Sequence, residues 1–196
     1  MKPILHLQNV TRKFGGLTAL DNVSFAMRPG EIVGLIGPNG AGKTTLVNLV
    51  TAIYGLTRGS ILFDGQRIDG LKSHEISRRG IARTFQIVQP FPKMTVLENV
   101  AAGALFAAGA RNLAEAKERA MEYLRFVGLA DLANHSASAL TLANRKCLEL
   151  AKSLAMKPKL LLLDEVNAGL NNAEINKALT LIRSLAERGI TVLIIE

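Results

Sequence analysis

Tryptophan is absent from the sequence, tyrosine occurs twice, and cysteine occurs once, at Cys147. A single cysteine excludes an internal disulfide framework and fits a reducing compartment. Internal repeats and low-complexity segments are also missing, so a repeat architecture is excluded. The composition is otherwise that of an ordinary soluble globular protein.

Long apolar runs are missing as well. The longest weakly polar stretch covers residues 100–110, which is too short to span a bilayer and is rich in alanine and glycine. The beginning of the sequence, MKPILH, lacks the apolar region of a signal peptide. The 196 residues could form one domain or a core with an inserted subdomain.

Acidic residues are in the minority, with 16 Asp and Glu against 24 Lys and Arg, which gives a net charge of +8. A basic surface is compatible with nucleic acid, anionic lipid or phosphate-bearing ligands. Because the basic residues are scattered along the chain, we interpret most of them as solvated surface charges.

The rest of the sequence is organised around a glycine-rich segment, GPNGAGKT at residues 37–44, followed by Thr45. It follows an apolar run, EIVGLI, and opens a helical pattern, LVNLV, so strand, glycine loop and helix have the spacing of a P-loop. A chance match in a chain of this length is roughly a one-in-a-hundred event. We therefore predict binding of a nucleoside triphosphate.

The chemistry of this segment is specific. Glycines let the backbone curl so that successive N–H groups point inward, and the helix start adds unpaired donors and the positive end of its dipole. Lys43 can reach the outer phosphates, and the Thr44 hydroxyl can ligate Mg²⁺.

The secondary-structure pattern predicts an α/β fold. Alternating strands before and after the P-loop suggest a small antiparallel β-layer beside a parallel core. The P-loop helix is predicted to run to about residue 54, and residues 11–16 are predicted to form a basic turn. Strands are predicted at residues 4–10, 20–27, 60–65 and 81–86, with a short helix at 73–79 and a C-terminal strand at 189–196.

A helical, alanine-rich pattern occupies residues 95–132, with Thr95 and Glu98 spaced as a capping box. A second helix is predicted at residues 113–127, ending at Gly128. The α/β pattern then returns, with a helix predicted at residues 173–188. We therefore predict a helical insertion at residues 87–150 within an α/β core formed by residues 1–86 and 151–196.

Two carboxylates follow a run of four leucines, in the order LLLLDE at residues 160–165. A run that is apolar on both faces indicates a central parallel strand, and ligands bind at the carboxyl ends of such strands. Asp164 would face the triphosphate through Mg²⁺, since a buried carboxylate near phosphates requires a neutralising cation. Glu165 is placed to polarise the attacking water as a general base, although a solvent-facing strand-end charge is the alternative.

The order of these features resembles the nucleotide-binding subunit of an ABC transporter. Within that family the sequence is most similar to the ATPase subunits of branched-chain amino acid importers. The segments that carry this similarity are GIARTFQ at residues 80–86, MTVLENV at 94–100, LLLDE at 161–165 and AGLN at 168–171. The resemblance covers essentially the whole chain and implies a P-loop NTPase core with an inserted helical subdomain.

The resemblance implies roles that the residues alone do not establish. Phe14 would stack on adenine, although a strand-end core aromatic is the alternative. The loop residues Asn39, Gly40, Ala41 and Gly42 would join Lys43 and Thr44 around the phosphates, and Thr45 would contact the α-phosphate side. Gln86 would sense Mg²⁺ and the attacking water. The groove near residues 86–94 would dock a short helix of a membrane permease subunit.

The sequence departs from the family pattern at the signature segment, usually LSGGQ, which caps ATP across a dimer interface. Here it reads LTLAN at residues 140–144. Thr141 keeps a hydroxyl, whereas Ala143 adds a methyl group where glycine allows close approach. We expect Thr141 and Ala143 still to complete the site of a second ATPase subunit, either a second copy or a paralogue.

The sequence stops as a core strand finishes, and the switch histidine of the family would follow Glu196 directly. We therefore expect a truncated C-terminus, and weak or absent hydrolysis by this form. The resemblance implies an ATPase peripheral to the inner face of the cell membrane, with no nucleic-acid partner. Two alternatives stay open: a soluble ABC-type ATPase acting on nucleic acid or ribosomes, and a regulatory module that binds nucleotide with little turnover.

Overall fold

The computed structural model describes residues 2–84, 90–164 and 168–196. These residues form two four-stranded sheets and six α-helices. The strands are β1 (Leu5–Phe14), β2 (Leu17–Met27), β3 (Ile32–Leu35), β4 (Arg58–Phe63), β5 (Gln66–Arg67), β6 (Ile81–Arg83), β7 (Leu160–Asp164) and β8 (Thr191–Ile195). The helices are α1 (Lys43–Val50), α2 (Ser73–Arg79), α3 (Val96–Phe106), α4 (Leu113–Val127), α5 (Leu142–Ala155) and α6 (Asn172–Glu187).

The two sheets divide the α/β part into an antiparallel layer and a parallel core, as predicted. The antiparallel sheet has the order β2-β1-β4-β5, and the parallel sheet has the order β3-β8-β7-β6. All five residues of β7 are buried between β6 and β8, which confirms the central strand predicted from the leucine run. The fold class predicted from the sequence is therefore confirmed.

Register within the parallel sheet decides where its ligand edge lies. Asp164 of β7 pairs with Ile195 of β8, and Ile195 pairs on its other side with Leu35 of β3. The Cα atoms of Asp164 and Leu35 are thus two strand spacings apart, about 10 Å. Because Leu35 ends β3, the glycine-rich segment begins at the same edge of the sheet that carries Asp164.

Two boundaries differ from the prediction by about four residues, more than the others do. Residues 11–14 continue β1 instead of forming a turn, since Phe14 pairs with Leu17 and only Gly15 and Gly16 connect β1 to β2. The helix α1 ends at Val50, not near residue 54, because Ala52 takes a left-handed backbone conformation with φ of 55°.

The helices α3, α4 and α5 pack together as a helical layer with an apolar core of its own. Thr95 and Glu98 form the predicted capping box at the start of α3, and Gly128 ends α4 as predicted. Glycine at position 103 lets α3 approach α5 closely, since a Cβ there would lie 2.7 Å from the Lys152 carbonyl oxygen. The proposed division of the chain at residue 150 stays a prediction, and α5 runs across it.

The apolar core of the α/β part lies on both faces of the parallel sheet. One cluster fills the space between the two sheets and α1, and a second packs β7 and β8 against α6. Of the helices that the structure describes, none is both long enough and apolar enough to be a candidate membrane span.

Candidate nucleotide-binding site

The glycine-rich segment forms a loop between β3 and α1, in the order that the sequence predicted. Its first residue is anchored to the parallel sheet, since the Gly37 N–H donates to the Glu196 carbonyl at 3.3 Å. Gly40 and Gly42 have φ of 82° and 89°, in the left-handed region that favours glycine. Gly42 also lies against β2, because a Cβ there would come within 2.7 Å of the Ala19 carbonyl oxygen.

The start of α1 offers an anion site. Gly42 is the N-cap, and among the described residues no side chain caps this end of the helix and no acidic residue lies in its first turn. The first N–H groups of a helix have no partner within it, and the helix dipole makes this end positive. Thr44 is exposed in this first turn and Thr45 is half-buried, so the segment can bind phosphate oxygens.

Lys43 points its ammonium group back into the loop. Its Nζ donates to the carbonyl oxygen of Gly37 and, at 3.0 Å, to that of Pro38. The side chain thus folds back over the first two residues of the loop, and the Pro38 carbonyl that it contacts also accepts from the Ala41 N–H at 3.2 Å. A phosphate group there would offer a stronger, charged acceptor than these two neutral carbonyl groups.

Asp164 ends β7 and is almost fully buried, with 7% of its side chain exposed. Its Oδ2 accepts a hydrogen bond from the Arg83 guanidinium at 2.6 Å, and its backbone N–H donates to the Thr84 hydroxyl at 3.3 Å. Arg83 is also buried, with 8% of its side chain exposed, and it donates to Asn48 Oδ1 at 2.6 Å. Asp164 therefore carries its charge inside the protein, held by a cation from β6.

The donor set at this edge fits Mg²⁺. The Thr44 hydroxyl and the Asp164 carboxylate are hard oxygen ligands, and Mg²⁺ is usually bound by one or two carboxylates together with substrate phosphates. No group of three or more His, Cys, Asp or Glu that could enclose a metal occurs among residues 2–84, 90–164 and 168–196. This edge thus fits an ion that shares its ligands with a bound triphosphate.

Phe14 lies at the end of β1 with 37% of its surface exposed. The Arg12 guanidinium carbon lies 4.3 Å from the centre of the Phe14 ring, and Tyr54 contacts the ring edge-on with centroids 5.2 Å apart. Phe14 is therefore a supported surface aromatic, not a core residue. Its stacking on adenine stays a prediction, and the sequence analysis did not foresee the support from Arg12 and Tyr54.

The signature-segment residues lie at the start of α5. Thr141 is the N-cap, and its hydroxyl accepts a hydrogen bond from the Asn144 N–H at 3.3 Å. Ala143 is half-buried and lines a cavity of about 230 Å³ together with Asp164. Among the described residues, no hydrogen bond joins Thr141 or Ala143 to the loop at residues 37–42.

Two predicted site residues, Gln86 and Glu165, lie outside the described residues. Their roles stay predictions made from the sequence. Of the segment predicted to dock a permease, residues 90–94 are described, and Phe91 there has 51% of its surface exposed. Fully buried Asn99 holds this segment from below, accepting from the Phe91 N–H and donating to the Phe91, Met94 and Thr95 carbonyls.

The sequence analysis also missed Arg83 and Asn48. The sequence did contain a signal for both residues, because each is polar and lies in an apolar segment. Asn48 lies within the buried run of α1, and Arg83 ends a short buried strand. The single cysteine has a simpler role. Burial raises the pKa of the Cys147 thiol, so it stays protonated and packs as a small apolar side chain.

A glycine loop between a parallel strand and a helix, with an aspartate at the end of a strand two places along, defines a P-loop nucleotide-binding protein. The sequence profile of the ABC transporter family matches residues 20–168. This chain belongs to the ABC transporter family.

The curated relatives include the high-affinity branched-chain amino acid transport ATP-binding proteins BraF of Pseudomonas aeruginosa and LivG of Escherichia coli. Each is 40% identical to this chain over an alignment that covers 100% of the chain and 82% of the relative. The glutamine transport ATP-binding protein GlnQ of Escherichia coli is 35% identical and covers 98% of this chain and 80% of GlnQ.

Solved structures agree with this assignment. A crystal structure of the ADP conformation of an ATP-binding cassette of an ABC transporter superposes with a TM-score of 0.89 at 33% identity, covering 100% of this chain and 82% of that one. A dimeric structure of a post-hydrolysis state of an ATP-binding cassette, bound to ADP and Pi, superposes with a TM-score of 0.86 at 30% identity. That match covers 97% of this chain and 87% of the other.

Proposed function

We propose that this chain is the ATP-binding and ATP-hydrolysing subunit of an importer for branched-chain amino acids or a similar small polar solute. The observation that carries the proposal is the phosphate loop with Asp164 at the same sheet edge. The solute class is supported by the BraF and LivG relatives, which match the whole chain. The permease and any binding protein would choose the solute, and this chain would supply the free energy of ATP hydrolysis.

In this mechanism the chain's own groups bind the triphosphate and prepare water for attack. Backbone N–H groups of Asn39, Gly40, Ala41 and Gly42 would hold the phosphates, Lys43 would donate to their outer oxygens, and Phe14 would stack on the base. Glu165 would take the proton of the attacking water, a role that contributes about 10²–10⁴ to the rate.

The resident ion of this site would be Mg²⁺, held by Thr44 and Asp164, with Gln86 as the residue that senses it. When bound, it would neutralise charge on the phosphate oxygens. The position of Asp164 supports this assignment, because β7 ends at the same sheet edge as β3, where the phosphate loop begins.

A second ATPase subunit is the partner that the signature segment fits. At the start of α5 Thr141 is exposed and Ala143 is half-buried, and helix N–H groups there would reach ATP bound to another subunit. We expect Thr141→Ala, made in a Glu165→Gln background that retains ATP, to weaken ATP-driven dimerisation by roughly tenfold, since a hydrogen bond to a charged acceptor contributes about 1.5–3 kcal/mol. Analytical ultracentrifugation across an ATP titration measures this.

Thr141→Ser is the matched control, because it keeps both the hydroxyl and the helix cap. It should dimerise at the same ATP concentration as its parent. If Thr141→Ala also dimerises unchanged while its helix content is preserved, the signature segment has no part in the interface.

The permease would contact the segment at residues 90–94 with its neighbour at 86–89, so the chain would lie at the cytoplasmic face of the membrane. Exposed Phe91 offers the apolar contact, and buried Asn99 fixes the backbone of the segment from below. Co-purification of the chain with co-expressed membrane subunits tests this. Phe91→Asp should abolish co-purification, whereas Lys2→Asp, remote from the segment, should not.

Single-turnover hydrolysis tests the enzymatic part of the proposal. With protein in excess over radiolabelled ATP, the full-length protein should release phosphate, and Glu165→Gln in that protein should reduce the rate by about 10²–10⁴. The affinity for a fluorescent ATP analogue should stay within about twofold. Release of phosphate at the same rate by both proteins would remove Glu165 from the mechanism.

A regulatory module that binds nucleotide with little turnover is the second candidate function. The observation that favours it is Ala143. Its methyl group stands where the family signature has glycine, and it leaves less room for ATP of another subunit to approach the start of α5. Tight ATP binding by the full-length protein with no phosphate release above a blank would support this candidate over the transport ATPase.

A further inference from the structure

The buried ion pair between Arg83 and Asp164 extends to a third element. Arg83 ends β6, Asp164 ends β7, and Asn48 lies on α1, the helix that begins at the phosphate loop. One guanidinium joins all three: it donates to Asp164 Oδ2 and to Asn48 Oδ1, both at 2.6 Å. Both distances are short, as expected of charge-assisted bonds to oxygen.

Asn48 is a polar residue within an apolar run of α1, flanked by buried Leu46, Val47, Leu49 and Val50. Burying a guanidinium, a carboxylate and an amide together is costly, and breaking such a set by removing one member is costlier still. Apolar side chains at these three positions would avoid that cost in free energy.

The nucleotide site beside these three residues offers a functional reason for their presence. The phosphate loop continues directly into α1, because Lys43 both ends the loop and begins the helix. Asp164, the proposed ligand of Mg²⁺, belongs to a separate element, β7. Arg83 is the side chain that fixes the distance between these two parts, and it does so through a planar group with few conformational alternatives.

We propose that Arg83 is a positioning residue for Mg²⁺ binding: it orients the Asp164 carboxylate and ties it, through Asn48, to the helix of the phosphate loop. The inference rests on the proposed role of Asp164 as the Mg²⁺ ligand. By holding Oδ2, Arg83 leaves the other carboxylate oxygen to the ion. It also supplies Asp164 with a counter-charge before the ion arrives.

The experiment measures the dissociation constant of a fluorescent ATP analogue twice, once with EDTA and once with Mg²⁺. The ratio is the constant in EDTA divided by the constant in Mg²⁺, so a larger ratio means a larger gain in affinity from Mg²⁺. A residue that merely stabilises the fold would change both affinities alike and leave the ratio unchanged. Arg83→Gln should lower the ratio about tenfold, with the affinity in EDTA kept within about twofold. Asn48→Leu, which keeps the ion pair but removes the link to α1, should lower the ratio about threefold.

Two further variants keep the outcomes separate. Asp164→Asn should abolish the gain from Mg²⁺; if the gain persists, the proposed function has the wrong metal ligand. Arg79→Gln is the matched arginine control, since Arg79 also donates to a side-chain amide oxygen, that of Gln66, but lies outside the site. Its ratio should equal that of the wild type.

The positioning role is overturned if Asp164→Asn behaves as expected while Arg83→Gln keeps the wild-type ratio. It is equally overturned if Arg83→Gln raises the ratio, because Arg83 would then only compete with the ion for the carboxylate. Should Arg83→Gln fail to fold, Arg83→Lys takes the same measurement. Lysine keeps the charge but cannot bridge Asp164 and Asn48 with a planar fork, so its ratio should also fall.

Discussion

Replacement of Lys43 by alanine is expected to lower the affinity for ATP by roughly a hundredfold or more. In the structure the Lys43 ammonium donates to the carbonyl oxygens of Gly37 and Pro38, inside the concavity of the loop. Phosphate oxygens at that place would accept at least two charge-assisted hydrogen bonds, each contributing about 1.5–3 kcal/mol, which together amount to about 3 kcal/mol or more. Isothermal titration with ATP and Mg²⁺ measures the change.

The loss of binding should occur without a loss of folding. The two carbonyl groups that Lys43 contacts lie at an exposed or half-buried loop, where water can replace the ammonium group. Lys2→Ala removes an exposed lysine far from the loop in sequence and should bind ATP as the wild type does. An unchanged affinity in Lys43→Ala would mean that the loop does not hold the triphosphate.

Gly42→Ala is expected to destabilise the fold by about 2–5 kcal/mol. A left-handed residue other than glycine costs about 1–2 kcal/mol, and forcing a methyl group into a packed place adds about 1–3 kcal/mol. At Gly42 that methyl group would meet the Ala19 carbonyl oxygen and the Leu20 side chain, each at 2.7 Å. Urea denaturation of the nucleotide-free chain gives the difference in unfolding free energy.

Gly40→Ala separates the two causes. Gly40 has nearly the same backbone conformation, with φ of 82°, but no atom lies within 4 Å of a Cβ built there. Its variant should therefore lose only about 1–2 kcal/mol. Equal losses of unfolding free energy in the two variants would show that the contact of Gly42 with β2 does not contribute to the effect.

Helices and strands whose sequence signals all lie within or next to the element were predictable. The four leucines before Asp164 required burial on both faces, and β7 is indeed interior. The helix α4 carries its own start and stop signals in Asn112 and Gly128. By contrast, residues 11–14, of which three are polar, were predicted to form a turn, and they form strand because β2 and β4 pair with them. Such pairing depends on distant segments that local patterns do not specify.

The same division holds at the site. The loop at residues 37–44 and Asp164 were predictable because their spacing and their place after buried strands are local features. The link from Arg83 to Asn48 and Asp164 was not, since it joins residues 35 and 81 positions apart. The roles of Gln86 and Glu165 are still predictions, because both lie outside the described residues.

The apolar core of the helical layer has a consequence for local opening. Leu124, Leu148 and their neighbours pack mainly on one another, while Tyr123 and Phe126 of α4 also pack against the cluster of β7 and β8. We expect α4 to open at a lower free energy than β7, which is buried between two strands. Backbone amides in α4 should therefore exchange with solvent deuterium through partial unfolding, whereas those in β7 should exchange only through global unfolding. ATP, by stabilising the sheet edge, should slow the second class of amides far more than the first.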